Sequence, residues 1–184
     1  MTRRTTSAVS TRSSTDLRRL TTAAVATALV FLFTFLIKVP TVIGYIHLGD
    51  AFVLLYAALT GDPLALLVGA LGEGLADVAG GYFQYVPATM LIKALIALPV
   101  VLSVRKEQTD GKDRSKILTV KTFLWSLPSI PITLGGYFLI DYLLSGAYAF
   151  AALWTNAVQA GGSLLVFVVL ALGFEKSRIG ERSR

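Results

Sequence analysis

The chain has 184 residues, 54% of them apolar and only 15% charged, with a positive mean hydropathy. This balance excludes an ordinary soluble domain and marks an integral membrane protein. Apart from Lys38 and Lys93, the basic residues behind the net charge of +6 lie in two tails and one loop, so the charge reads as membrane topology, and no nucleic-acid partner is expected. The chain has no cysteine and a single histidine, which excludes disulfides, thiolate metal sites, cysteine nucleophiles and a multi-histidine metal centre.

A spanning helix needs about 20 apolar residues, and six such runs follow one another. They predict an all-α membrane protein, with residues 20–174 as one six-helix domain between basic tails at 1–19 and 175–184. The Ser/Thr/Arg-rich first tail has the composition of a disordered segment. The first span, Leu20 to Ile37, is too long for the apolar core of a secretory signal and no small-residue cleavage site follows it, so it is read as retained. The second, about Leu48 to Thr60, is short, which predicts a tilted or partly interfacial helix. In "TGDPLAL", Asp62 can cap the next helix and Pro63 suits its first turn. The third span covers Leu64 to about Val78 and stops at Gly80 and Gly81; the fourth runs from Pro87 to near Ser103. After the polar loop "VRKEQTDGKDRSK", the fifth covers about Thr119 to Leu144, interrupted by Pro128 and Pro131, and the sixth about Leu153 to Phe174. No internal repeat is present.

Lys and Arg give the orientation. Arg3, Arg4, Arg12, Arg18 and Arg19 lie in the first tail, Arg105, Lys106, Lys112, Arg114, Lys116 and Lys121 between spans four and five, and Lys176, Arg178, Arg182 and Arg184 in the last tail. With six spans all three segments share one side, which the positive-inside rule makes the cytoplasm, so both termini are cytoplasmic. The connections from about Lys38 to His47, Gly80 to Val86 and Ser145 to Ala152 then face outward. They are rich in Gly and aromatic residues, the composition of a small-molecule mouth.

Charges within the spans cost about 2.5–3.5 kcal/mol each on insertion scales and call for partners. Glu73 and Asp77 share a face of the third helix, and Lys93 lies about two turns into the fourth from the same outer side. Asp77 and Lys93 at comparable depth on antiparallel helices predict an ion pair. That pair is a structural clasp, and Lys93 can also offer a hydrogen bond to a ligand with Asp77 orienting it. Near the same end, "WTNAVQAGGS" supplies Trp154, Asn156 and Gln159, "GGYFQY" supplies Tyr82, Gln84 and Tyr85, and "GYIHLGD" supplies Tyr45, His47 and Asp50. The amides suit a heteroatom-rich ligand or an interhelical hydrogen bond. The aromatic residues suit stacking on a ligand ring or an interfacial belt. On the first helix Ala24 and Ala28, with Thr27 beside them, form a small-residue pair that lets another helix approach closely.

The stretch "YIHLGDAFVLLYAALTGDPLALLVGALGEGLADVAGGYFQYVPATMLIKALIALP" resembles the substrate-binding S components of energy-coupling factor (ECF) transporters, in the riboflavin-type group. The order of motifs carries the resemblance: "HLGD" opening helix two, a helix three of the "ALLVGALG" kind ending in Asp, then Pro87, Thr89 and Lys93 in helix four, with "NAVQAGGS" similar to the sixth helix. It spans about Leu20 to Phe174. Glu73 departs from the pattern, which leads to a small or neutral residue there.

The resemblance implies a six-helix protein of a prokaryotic cell membrane that binds a vitamin near its outer face. It also implies docking through small residues of the first helix, here matched by Ala24 and Ala28, onto a membrane coupling subunit driven by two ATPases. No nucleotide site is expected in this chain and no G-x-x-x-x-G-K-[ST] occurs, so ATP would be hydrolysed by the partners. The candidate ligand residues are Lys93, Asn156, Gln159, Trp154, Gln84, Tyr85, Tyr45 and His47. They suit a hydroxymethylpyrimidine-like or pyridoxine-like compound, with cobalamin, pantothenate and other vitamins open. An autonomous secondary transporter or channel is the alternative, although inverted repeats and a polar pore stripe are not seen. An intramembrane enzyme would need a catalytic constellation that the single histidine does not supply.

Overall fold

The computed structural model describes residues 5–41, 44–112 and 114–182, with side chains described for 14–41, 45–112 and 114–177. Among these residues seven α-helices and one short hairpin follow in order. They are α1 (Thr5–Phe35), β1 (Lys38–Thr41), β2 (Gly44–His47), α2 (Gly49–Thr60), α3 (Leu64–Gly80), α4 (Val86–Thr109), α5 (Val120–Ser126), α6 (Ser129–Ser145) and α7 (Ala149–Arg182). Three helical stretches are long and apolar enough to cross a membrane: 14–35, 86–109, and 120–177, the last comprising α5 to α7.

α2 is the centre of the bundle. It packs against α1, α3, α4 and α7, and most of its residues, from Gly49 to Ala58, are buried. The tilted or interfacial helix expected there is thus a core helix. Twelve residues are too few for an ordinary span but suit a segment enclosed by other helices. Around it α1, α3, α4, α6 and α7 follow one another in contact. Leu54, Val68, Ile96, Val100, Val104 and Phe167 fill the space between them.

Two boundaries differ from expectation for local reasons. The fifth span is two helices, because Pro128 cannot continue α5 and instead precedes the first turn of α6. Pro131 sits early in α6, where its missing N–H costs least. Helix also continues beyond the expected domain edges, from Thr5 into the first tail and on to Arg182 in the last. No proline interrupts either extension. Residues 1–4 and 183–184 lie outside the described residues.

The segment between α1 and α2 pairs as an antiparallel hairpin, Lys38 opposite His47 and Pro40 opposite Tyr45, which caps one end of the bundle. At the opposite end Arg19 grips Asp62 in a fork, Nε to Oδ2 at 2.7 Å and a terminal nitrogen to Oδ1 at 3.0 Å. That hydrogen bonding holds the Asp62 carboxyl below its usual range. Asp62 also accepts the Leu64 N–H, satisfying a free donor at the start of α3.

α1 lies along α3 with Ala23, Val30 and Thr34 inward, which leaves Ala24 and Ala28 exposed on the other face. The approach is close because Gly72 has no side chain. A Cβ there would lie 2.6 Å from the Val30 side chain and 3.1 Å from the Thr27 carbonyl. Gly72→Leu should therefore push α1 off α3, lowering folded yield and melting temperature in detergent by the equivalent of about 1–3 kcal/mol. Adding Val30→Ala should return part of the loss. Unchanged stability of Gly72→Leu would show that the two helices do not meet at this point.

Candidate functional site

The hairpin end of the bundle holds a cavity enclosing about 410 Å³, its open mouth included, lined by Tyr45, His47, Asp77, Tyr82, Tyr85, Thr89, Tyr137, Asp141, Asn156 and Gln159. These side chains come from β2, the end of α3, the turn before α4, the first turn of α4, the middle of α6 and the start of α7. The hairpin supplies Tyr45 and His47 because residues two apart on a strand point to the same side. α6 supplies Tyr137 and Asp141 because residues four apart share a helix face.

Four tyrosines edge the cavity. The Tyr45 hydroxyl donates to Asp77 Oδ1 at 2.6 Å and the Tyr85 hydroxyl to Asp141 Oδ1 at 2.8 Å. Tyr82 stands between them, its ring 5.1 Å from that of Tyr45 and 6.5 Å from that of Tyr85. On the inner wall Tyr137 shares a hydrogen bond of 3.2 Å with Thr89. Burial, and after it the Asp77 charge, push the Tyr45 phenol far above its usual range. Burial and then the Asp141 hydrogen bond do the same for Tyr85. Both hydroxyls thus remain donors at physiological pH.

Beneath the cavity floor lies a buried charge cluster. The fully buried Lys93 ammonium is 2.7 Å from Asp50 Oδ1 and 3.1 Å from Glu73 Oε2, and it lies 5.1 Å from the centre of the Tyr137 ring. Asp50 occupies the first turn of α2, where the helix dipole favours a carboxylate. Its second oxygen is 3.5 Å from the Gln159 amide nitrogen. His47 Nε2 is 3.3 Å from Glu73 Oε2. The Gly49 N–H donates to His47 Nδ1 at 3.2 Å, which puts the proton of a neutral ring on Nε2, facing Glu73. Gly49 also lets α1 come near, since a Cβ there would collide with the Thr34 hydroxyl and stand 3.0 Å from Glu73 Oε1.

The ion pair expected between Asp77 and Lys93 is therefore replaced by Lys93 with Asp50 and Glu73. Glu73 is one turn deeper on α3 than Asp77, and the "HLGD" turn swings Asp50 inward to the same depth. Glu73, whose role the sequence left open, is the second counterion. Lys93 does not line the cavity; its charge is consumed below it. Tyr45, His47, Tyr85, Asn156 and Gln159 do line it, and Trp154 and Gln84 do not. Trp154 is two residues from Asn156, on the far side of the helix, and 74% exposed; Gln84 points outward from its turn. Tyr137 and Asp141 were not anticipated, although an acid within the apolar run "YFLIDYLL" is the kind of signal that marks an intramembrane site.

The residues forming this end of the bundle fall within one family match. The family model described as ECF-type riboflavin transporter, S component, matches residues 14–176. The chain belongs to this family and is a membrane protein serving as a vitamin-binding subunit of a transporter. No curated protein and no solved structure gives a significant match.

Lys93→Met leaves two carboxylates buried without their cation and should cost about 3–5 kcal/mol, read as loss of folded yield. The triple variant Lys93→Met, Asp50→Asn, Glu73→Gln should recover much of it. Adding Asp77→Asn to Lys93→Met should recover nothing, and rescue by that change would restore the Asp77 pairing.

The cluster also predicts a pH dependence. Burial, and then the Lys93 charge, push the His47 imidazole down to about 3 from 6.5. A base depressed on folding contributes stability that is present above its unfolded pKa and is lost as pH falls toward the folded one. The loss therefore falls below about pH 6.5, where the unfolded imidazole takes up its proton and the buried one does not. Melting in detergent across that range should show a slope that flattens in His47→Gln. An identical slope in the variant would remove His47 as its source.

Proposed function

We propose that this chain is the substrate-capturing S component of an ECF-type importer. In this reading residues 20–174 form a six-crossing domain in a prokaryotic cell membrane, with α5 and α6 together making the fifth crossing and both basic tails in the cytoplasm. The hairpin end then faces outward, and a vitamin enters the cavity beneath the hairpin. The observation that carries the reading is that cavity: a tyrosine-edged, polar site at the end of the bundle away from the basic loop, in a chain of the S component family.

The lining favours a polar heteroaromatic ligand. Tyrosine faces stack on flat rings, while Asn156, Gln159 and Thr89 offer both donors and acceptors. The cavity is narrow as it stands, with about 40 Å³ open to water-sized groups, room for a few waters, so a bound ring must part its walls. It suits a one- or two-ring compound of the hydroxymethylpyrimidine or pyridoxine kind better than cobalamin. Pantothenate has no ring to stack. Riboflavin, the vitamin in the family's description, is also a heteroaromatic and belongs in the same trial.

The chain needs no cofactor of its own under this reading. ATP is hydrolysed by two partner ATPases, and a transmembrane coupling subunit docks on α1. Ala24 and Ala28 are small and exposed on the face of α1 turned away from α3, which suits close helix approach.

Two experiments separate binding from coupling. Asn156→Ala should weaken vitamin binding about tenfold or more without unfolding the protein, since a lost hydrogen bond in a desolvated site is worth about 1–3 kcal/mol. Gln159→Ala should weaken it and also lower stability, because that amide reaches Asp50. Affinity unchanged in both folded variants would return the amides to helix packing. Ala24→Trp with Ala28→Trp should leave vitamin binding intact yet abolish ATP-dependent uptake with the coupling subunit and ATPases. Unchanged uptake by the folded double variant would remove α1 as the docking face and favour a self-sufficient transporter.

A further inference from the structure

The cavity is acidic in a way that its motifs do not require. Asp77 and Asp141 both line it, and they are only 6% and 3% exposed. Each accepts one tyrosine hydroxyl. Asp77 Oδ2 is buried with no hydrogen-bond partner among the described residues, in a carboxyl that lines the cavity beside the Thr89 hydroxyl. Leaving such an oxygen unpaired is costly unless something supplies a donor.

No cation supplies it. The lining contains no lysine or arginine. Lys93 is held below by Asp50 and Glu73. Lys38, the nearest cation on the hairpin, places its ammonium 4.5 Å from the centre of the Phe35 ring and 5.2 Å from that of Tyr45, at the rim. His47 is occupied by the Gly49 N–H and by Glu73. Between the two carboxylates run the rings of Tyr45, Tyr82 and Tyr85, whose faces also attract positive charge.

Building on the proposed importer role, we infer that the ligand presents nitrogen-borne donors or positive charge to Asp77 and Asp141, and that the cavity rejects acidic and phosphorylated forms of the same ring. The ring lies among the tyrosines. An amino group or protonated ring nitrogen meets Asp77 Oδ2, and a second donor meets Asp141. A carboxylate or phosphate in this space would face two buried carboxyl groups with no lysine or arginine in the lining to receive it. A vitamin that reaches the cell as a phosphate ester must therefore lose the phosphate by hydrolysis before capture.

Matched pairs test this directly. The purified full chain in nanodiscs would be titrated calorimetrically with pyridoxamine against pyridoxamine 5′-phosphate, with 4-amino-5-hydroxymethyl-2-methylpyrimidine against its phosphate, with thiamine against thiamine phosphate, and with riboflavin against its 5′-phosphate. In every pair that binds, the unphosphorylated member should bind at least about tenfold more tightly. The tightest ligand should carry an amino group or a cationic nitrogen. Asp77→Asn with Asp141→Asn should weaken that ligand about tenfold or more and shrink its advantage over the phosphate. A phosphate bound as tightly as its parent, or a ratio unmoved in the folded double variant, overturns the inference and leaves the importer role standing. A folded protein that binds no member of any pair overturns the heteroaromatic ligand class and this inference with it. The Ala24→Trp, Ala28→Trp uptake experiment then judges the importer role separately.

Discussion

The buried ammonium of Lys93 organises the hairpin end of the bundle. Four elements meet on it: α4 carries it, α2 and α3 bring Asp50 and Glu73 to within 2.7 and 3.1 Å, and the hairpin sets His47 against Glu73. α7 joins through Gln159, which reaches Asp50, and through Ser163, whose hydroxyl lies 3.4 Å from the His47 carbonyl oxygen. An ion taken out of water costs several kcal/mol even after relaxation, and only a well-placed set of partners offsets it. The geometry of the cavity floor is thus fixed by a constraint unrelated to the ligand: the charges must meet, and the elements that carry them are held where they do.

That constraint divides the polar residues into two layers. In the lower layer every charge has an opposite charge within ion-pair distance. In the upper layer the carboxylates of Asp77 and Asp141 meet neutral donors, the Tyr45 and Tyr85 hydroxyls with Thr89 and Asn156 beside them. A phenol lowers the cost of a buried carboxylate without neutralising it. The upper layer therefore keeps unspent electrostatic potential facing the cavity, while the lower layer spends its own on holding helices together.

Much of the helical frame was legible in the sequence because apolar runs, prolines and glycines act locally. Asp62 and Pro63 opening α3 needed nothing beyond their neighbours, and α3 ended beside Gly80 and Gly81 as read. The central place of α2 was not legible, and its short length pointed to a tilted or interfacial helix instead. Burial on every side is a property of the neighbours, and a short, mostly apolar run looks alike in lipid and in a protein core. The "HLGD" motif was visible as a motif, yet its physical purpose emerged only when Asp50 was found on Lys93.

Pairing errors arose where two residues competed for one partner. Asp77 and Glu73 differ by one helical turn, about 5.4 Å along the axis, and depth estimated from span ends carries an error of that size. Composition could not choose between them. The choice rests on where α2 places Asp50, since Lys93 settles where two carboxylates can reach it instead of one. Asp77, released from that duty, becomes available to the cavity. The assignment of counterions within the bundle thus decides which acid lines the cavity: Glu73 and Asp50 hold Lys93, and Asp77 is left to the cavity wall.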